Sequence, residues 1–152
     1  FNKILENIKS FKNAPHRLEM VALIDQVKFI NDSKATNVDA VYYALEGIKG
    51  SIIWIVGGID KGNDYSSLIP LVKQKVKTII CLGENVKYIK GAFENLDVDM
   101  VYTLSMEEAV NQSYEHATKG DAVLLSPACA SFDLFENYEH RGYEFKLSVK
   151  SL

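Results

Sequence analysis

The sequence has only two cysteines, Cys81 and Cys129, in 152 residues. That is too few for a disulfide framework and fits a reducing compartment. It has no run of roughly 18 apolar residues, the length a membrane helix needs. Its first fifteen residues mix Lys and Glu with apolar side chains and contain no signal-peptide core. It has no excess of positive charge: 17 Lys plus Arg stand against 20 Asp plus Glu, a formal net charge of −3. This argues against bulk nucleic-acid binding but leaves room for a local anion site. Internal repeats, low-complexity stretches and any linker after Pro15 are absent. So are the phosphate-cradling G-x-x-x-x-G-K-[ST] and the dinucleotide pattern G-x-G-x-x-G. His16, His116 and His140 show neither metal-ligand spacing nor a nucleophile-activating arrangement, and His116 and His140 read as exposed helix residues. With 47% hydrophobic and 24% charged residues, the chain reads as one globular domain. Its first residue is Phe rather than Met, as expected of a piece of something longer.

Three short apolar runs, Ile52 to Val56, Thr78 to Leu82 and Ala122 to Leu125, are bounded by polar or small residues. Such uninterrupted runs predict strands buried on both faces, as in a parallel sheet. Val98 to Tyr102 is a weaker strand. Met20 to Ile24 and Val27 to Ile30 form a hairpin if the chain turns at Asp25-Gln26. Between them lie helical patterns. Val38, Val41, Tyr42 and Leu45 share one face, with Gly47 as the expected stop. Ser105 and Glu108 make a capping box. Segments 66–75 and 86–95 also read as helices, and Phe132, Phe135, Phe145 and Val149 predict a long final helix with Gly142 as its weak point. Strands alternating with helices predict an α/β fold: a doubly wound, mostly parallel, Rossmann-like sheet of about six strands flanked by helices. Ligands in such folds collect at the carboxyl ends of the strands.

The loops leaving those strand ends are therefore the candidates for a site. Asn31 to Asn37 holds six polar side chains in seven residues and opens a helix whose N-terminus suits a carboxylate or phosphate. There Thr36 offers a hydroxyl, Lys34 a charge and Asp32 an acceptor for sugar hydroxyls, unless Asp32, Ser33 or Thr36 merely caps the helix. Gly57-Gly58-Ile59-Asp60-Lys61-Gly62 brings backbone close to a ligand and sets Lys61 to meet an anion, or is an ordinary glycine-rich turn. Ser126 to Asp133 is rich in small residues, with Ser131 where a helix is expected to start. Cys129 and Cys81 read as packing thiols. Ahead of the first hairpin, Arg17 can fork onto phosphate and His16 can stack on a ring, or Arg17 pairs with Glu19 on the surface.

Five segments carry a family resemblance. They are His16-Arg17-Leu18-Glu19, Asn31 to Asn37, Gly57 to Lys61, Leu125 to Ser131, and Asn137-Tyr138-Glu139-His140-Arg141-Gly142. In this order and spacing the chain resembles the C-terminal domain of the Mur ligases, nearest the branch that uses D-glutamate. The resemblance implies a domain over residues 16–152, with residues 1–15 as an interdomain connection or N-terminal helix. It implies an ATP-dependent, cytoplasmic bacterial enzyme of peptidoglycan synthesis, monomeric, touching neither nucleic acid nor membrane. Such an enzyme joins D-glutamate to UDP-N-acetylmuramoyl-L-alanine through an acyl phosphate. The P-loop, the Mg2+ ligands and the family's carbamylated lysine would lie in a central domain, and UDP would bind an N-terminal one. The isolated chain is then expected to be inactive, with no catalytic group or metal ligand of its own beyond substrate positioning. By resemblance, Thr36, Lys61, Ser131, Phe132 and Tyr138 bind D-glutamate. His16, Arg17 and Asp32 contact ATP, and Lys34 faces the cleft. Two other readings stand beside this one: a related amide ligase, such as one that adds glutamate to a folate, and a flavodoxin-like binding module without catalysis.

Overall fold

The computed structural model describes residues 3–4, 14–60, 62–131 and 133–152. The strands are β1 (Lys3–Ile4), β2 (Glu19–Ile24), β3 (Val27–Asn31), β4 (Ile52–Val56), β5 (Val76–Leu82), β6 (Asp99–Thr103) and β7 (Ala122–Leu125). The helices are α1 (Val38–Gly47), α2 (Ile69–Lys75), α3 (Lys87–Phe93), α4 (Met106–His116) and α5 (Tyr138–Lys150). The sheet runs β1-β2-β3-β7-β4-β5-β6. Its five strands from β3 to β6 are parallel, and β1 and β2 add antiparallel pairs at one edge. The β2–β3 turn falls on Asp25 and Gln26, both at positive φ (50° and 63°). That is the primed geometry matching the twist of paired strands.

Every residue of β4 and of β7 is buried. Period-two alternation explains why these runs show no polar face. Ile52, Trp54 and Val56 pack with Val41, Leu45, Val72 and Phe93 from α1, α2 and α3. Ile53 and Ile55 point the other way, toward Met106, Val110, Phe145 and Val149 from α4 and α5. Two helical layers thus cover the two faces of one sheet, the doubly wound arrangement expected. The chain crosses from β3 over β7 to β4, moves outward to β6, and returns on the opposite face to insert β7. The loops after β3, β7 and β4 therefore lie side by side at the point where the winding reverses, the place where open α/β sheets bind ligands.

Several local expectations are corrected. The cap of α1 is Asn37, whose side chain accepts from the Ala40 N–H, and not Asp32, Ser33 or Thr36. Gly47 lies inside α1, which ends because Ile48 is extended (φ −88°). The final helix starts at Tyr138 with Asn137 as its cap. Phe135 precedes it, and Ser131 therefore does not open a helix but an isolated turn closed by Phe135 N–H to Ser131 carbonyl (3.0 Å). Phe132 lies outside the described residues, as do residues 5–13 of the segment read as a connection or helix. Ser105 does cap α4, accepting from Glu108 N–H, while the Glu108 carboxylate reaches the Leu104 N–H.

Candidate functional site

The loop after β7 is the spine of the site, and the other two loops are bonded to it. From the β3 side, Asp32 N–H donates to Leu125 carbonyl (2.7 Å) and Ala128 N–H donates to Ala35 carbonyl (2.9 Å). From the β4 side, Gly57 N–H donates to Pro127 carbonyl (3.1 Å) and Ile59 N–H to Ala130 carbonyl (2.8 Å). The lone tryptophan contributes as well. Trp54 packs edge-on against Phe93, and its indole N–H holds the Ser126 carbonyl at 2.7 Å.

Close approach of these backbones requires glycine. Gly58 has φ +144°, and a Cβ there would stand 2.2 Å from the Ala130 carbonyl oxygen. Gly57 has φ +140° and would meet the Leu82 carbonyl oxygen at 2.1 Å. The close approach at these two glycines is to neighbouring protein backbone, in a positive-φ conformation that glycine alone adopts readily.

Beyond the glycines, Asp60 organises the loop. One carboxylate oxygen accepts from Gly62 N–H (2.9 Å) and Asn63 N–H (2.8 Å), the other from Tyr65 hydroxyl (2.5 Å). Asn63 then donates to Ala128 carbonyl (2.9 Å), tying this loop to the spine again. Lys61 itself lies outside the described residues, between these two anchored neighbours. Cys129 is buried, its sulfur 3.6 Å from the Tyr65 hydroxyl, and burial pushes its thiol up to about 11. Cys81, in the core, is pushed up to about 12 by the same cause. Both behave as packing thiols.

Asp32 is buried and lines a cavity of about 250 Å³ together with Arg17, Leu18, Lys34, Tyr43 and Ala44. Its carboxylate accepts from Ser126 hydroxyl (2.8 Å) and Leu18 N–H (3.0 Å). Burial pushes its pKa up to about 6, against the opposing pull of those two donors and Arg17. An acid with a raised pKa holds its proton longer in the folded state. Its contribution thus favours the fold at low pH and is lost as pH rises from 3.8 to about 6, a loss of roughly 3 kcal/mol. Asp32→Asn removes this titration. Relative to wild type, the variant is expected to gain about 2 kcal/mol between pH 4.5 and pH 7.5 in urea unfolding; a difference that does not change with pH contradicts this.

His16 faces elsewhere. Its Nδ1 accepts from the Asn31 amide (2.9 Å), its ring meets Tyr138 edge-on at 6.0 Å, and a Cβ on Gly142 would stand 2.1 Å from Nδ1. Gly142 therefore gives room to His16 within α5. Burial and Lys146 lower the pKa of His16, against the pull of Glu19 and Glu139, which matches an unprotonated Nδ1. Glu19 pairs with Lys146 (2.9 Å), not with Arg17, which is exposed. Thr36 and Lys34 are exposed on the first loop and Ser131 is buried on the spine. Tyr138 is half-buried, and its carbonyl accepts from Ser33 hydroxyl (2.6 Å). The structure thus brings together the loops bearing Thr36, Ser131 and Lys61, groups Arg17, Asp32 and Lys34 at one cavity, and sets His16 against Tyr138 and Gly142 of α5. Asn31, Ser33, Asp60 and Arg141 carry this scaffold; all four lie in the segments singled out from the sequence, but their bonding partners show only in the structure. Among the described residues, no three His, Cys, Asp or Glu side chains gather as a metal site, and no helix is long and apolar enough to cross a membrane.

Residues 16–129 match the family described as Mur ligase, glutamate ligase domain. UDP-N-acetylmuramoylalanine–D-glutamate ligase of Christiangramia forsetii is 57% identical over 98% of this chain and 34% of its own length. The enzyme of the same name from Cytophaga hutchinsonii is 54% identical over 99% of this chain and 34% of its own length. The chain therefore spans about a third of the curated relatives it matches. Among solved structures, UDP-N-acetylmuramate-alanine ligase of Thermotoga maritima superposes with a TM-score of 0.63 at 14% identity, over 97% of this chain and 33% of that one. FolC of E. coli in complex with ADP gives 0.62 at 15% identity, over 91% and 32%. At such identities the likeness is one of fold.

Proposed function

Because this chain belongs to the Mur ligase family, we propose that it is the amino-acid-binding domain of an ATP-dependent ligase joining D-glutamate to UDP-N-acetylmuramoyl-L-alanine in peptidoglycan synthesis. The observation that carries the reading is the bonding of three loops at one rim, each bearing a group suited to a carboxylate. Lys61 supplies the cation, and Thr36 and Ser131 supply hydroxyls. The family resemblance assigns Phe132 and Tyr138 to the same ligand. A dicarboxylate held by one cation and two hydroxyls is fixed at several points, which sets its amine for attack.

The cavity beside it suits a nucleotide by its donor set. Arg17 and Lys34 are exposed cations for phosphate, and Asp32 is a buried acceptor for a sugar hydroxyl. His16, directly before Arg17 in the chain, is assigned to the nucleotide by the family resemblance; its ring lies on Asn31 and Tyr138 and is not part of that cavity's lining. ATP, with Mg2+ held elsewhere in the longer protein, would supply the phosphoryl group that activates the acceptor carboxylate. This domain positions the amine and closes the site against water that would hydrolyse the activated acid. The work is cytoplasmic and needs the protein's other domains as partners.

The non-catalytic module gives way to family membership. The folate alternative shares the fold, but the relatives at 57% and 54% identity carry the D-glutamate name. A panel of amino acids tests this in the full-length protein. ADP release with UDP-N-acetylmuramoyl-L-alanine is expected with D-glutamate and not with L-glutamate, L-alanine or diaminopimelate. Preference for another member of the panel overturns the assignment.

A further inference from the structure

Arg141 is one of the largest fully buried side chains, 1% exposed. It occupies the first turns of α5, where a charged residue would ordinarily face water. Its Nε donates to Ser33 hydroxyl (2.9 Å), one terminal nitrogen to Ser33 carbonyl (2.7 Å) and the other to Cys129 carbonyl (2.9 Å). All three acceptors are neutral. Among the described residues, no carboxylate comes within ion-pair distance of the guanidinium. The carboxylate that acts on it through space, Asp133, is exposed. Burying a cation without a paired anion is costly, and two carbonyls and a hydroxyl offset only part of that cost.

The position suggests what completes the pairing. Ser33 is three residues from Thr36, and Cys129 is two residues from Ser131. We infer that Arg141 is a positioning residue for the anionic amino acid: it clamps the β3 and β7 loops together and lends its charge to the carboxylate held at their rim. This rests on the D-glutamate reading and adds to it a second positive charge besides Lys61. On the nucleotide side, Arg17 and Lys34 already supply cations.

The test separates charge from shape in the full-length protein, read as D-glutamate-dependent ADP release. Arg141→Met is expected to raise the KM for D-glutamate at least about tenfold, with the KM for ATP within about threefold. Arg141→Lys keeps the charge and loses the fork. It is expected to lower the melting temperature yet hold the KM for D-glutamate within about threefold of wild type. A purely structural role predicts lower kcat and melting temperature in both variants with both KM values unchanged, and that pattern overturns the inference. So does an equal rise in KM for the two variants. If Arg141→Met does not fold, Arg141→Lys decides alone: a KM within threefold supports the inference, and a tenfold rise overturns it. Wild-type protein showing no dependence on D-glutamate would instead overturn the underlying reading, and the inference with it.

Discussion

Replacing Gly58 with alanine is expected to lower the melting temperature of the 152-residue chain by roughly 10 °C. Two costs add. An alanine at φ +144° is strained by about 1–3 kcal/mol. Its Cβ would also stand 2.2 Å from the Ala130 carbonyl oxygen and 3.0 Å from the Cys129 Cβ. The spine loop must then retreat, and the Ile59–Ala130 bridge opens. A lost hydrogen bond adds about 1 kcal/mol, and displaced packing adds more. A total of about 3–4 kcal/mol is a large share of the 5–15 kcal/mol that stabilises a typical domain. The bridge joins two of the three rim loops, so the substitution also separates Ser131 from the Lys61 loop. A melting temperature within 2 °C of wild type would contradict this account of the glycine.

The architecture was legible because strands buried on both faces leave uninterrupted apolar runs. Ile52 to Val56 and Ala122 to Leu125 appear as strands with those very bounds. Hairpin and helices came from turn chemistry and period. Local competition among polar groups was not legible. Asp32, Ser33, Thr36 and Asn37 are all good caps, and only the tertiary engagement of Asp32 by Ser126 and of Ser33 by Arg141 leaves that task to Asn37. The final helix is shorter than its apolar pattern because Phe135 packs on the core from a turn. The loops of the site could be seen in the motifs, whereas their couplings could not. A helix arginine gives no sign in one dimension that it is buried, and Asp60 bonds backbone groups that any sequence possesses. His16 shows the same limit, since its seat depends on Gly142, far along the chain in α5.

Lys61→Ala should have the largest effect on catalysis. The loop that bears the residue is held by the Asp60 carboxylate, which accepts from Gly62, Asn63 and Tyr65. A charge-assisted hydrogen bond to a substrate carboxylate contributes about 1.5–3 kcal/mol, which corresponds to roughly 10- to 100-fold in KM. Lys61→Arg should also bind poorly, because a planar fork does not replace a compact ammonium. The decisive measurement is the D-glutamate dependence of ADP release by full-length Lys61→Ala, with ATP and UDP-N-acetylmuramoyl-L-alanine saturating. A KM for D-glutamate raised at least about tenfold, with ATP dependence unchanged, is the predicted result. An unaltered KM for D-glutamate would show that the three rim loops do not enclose the amino acid.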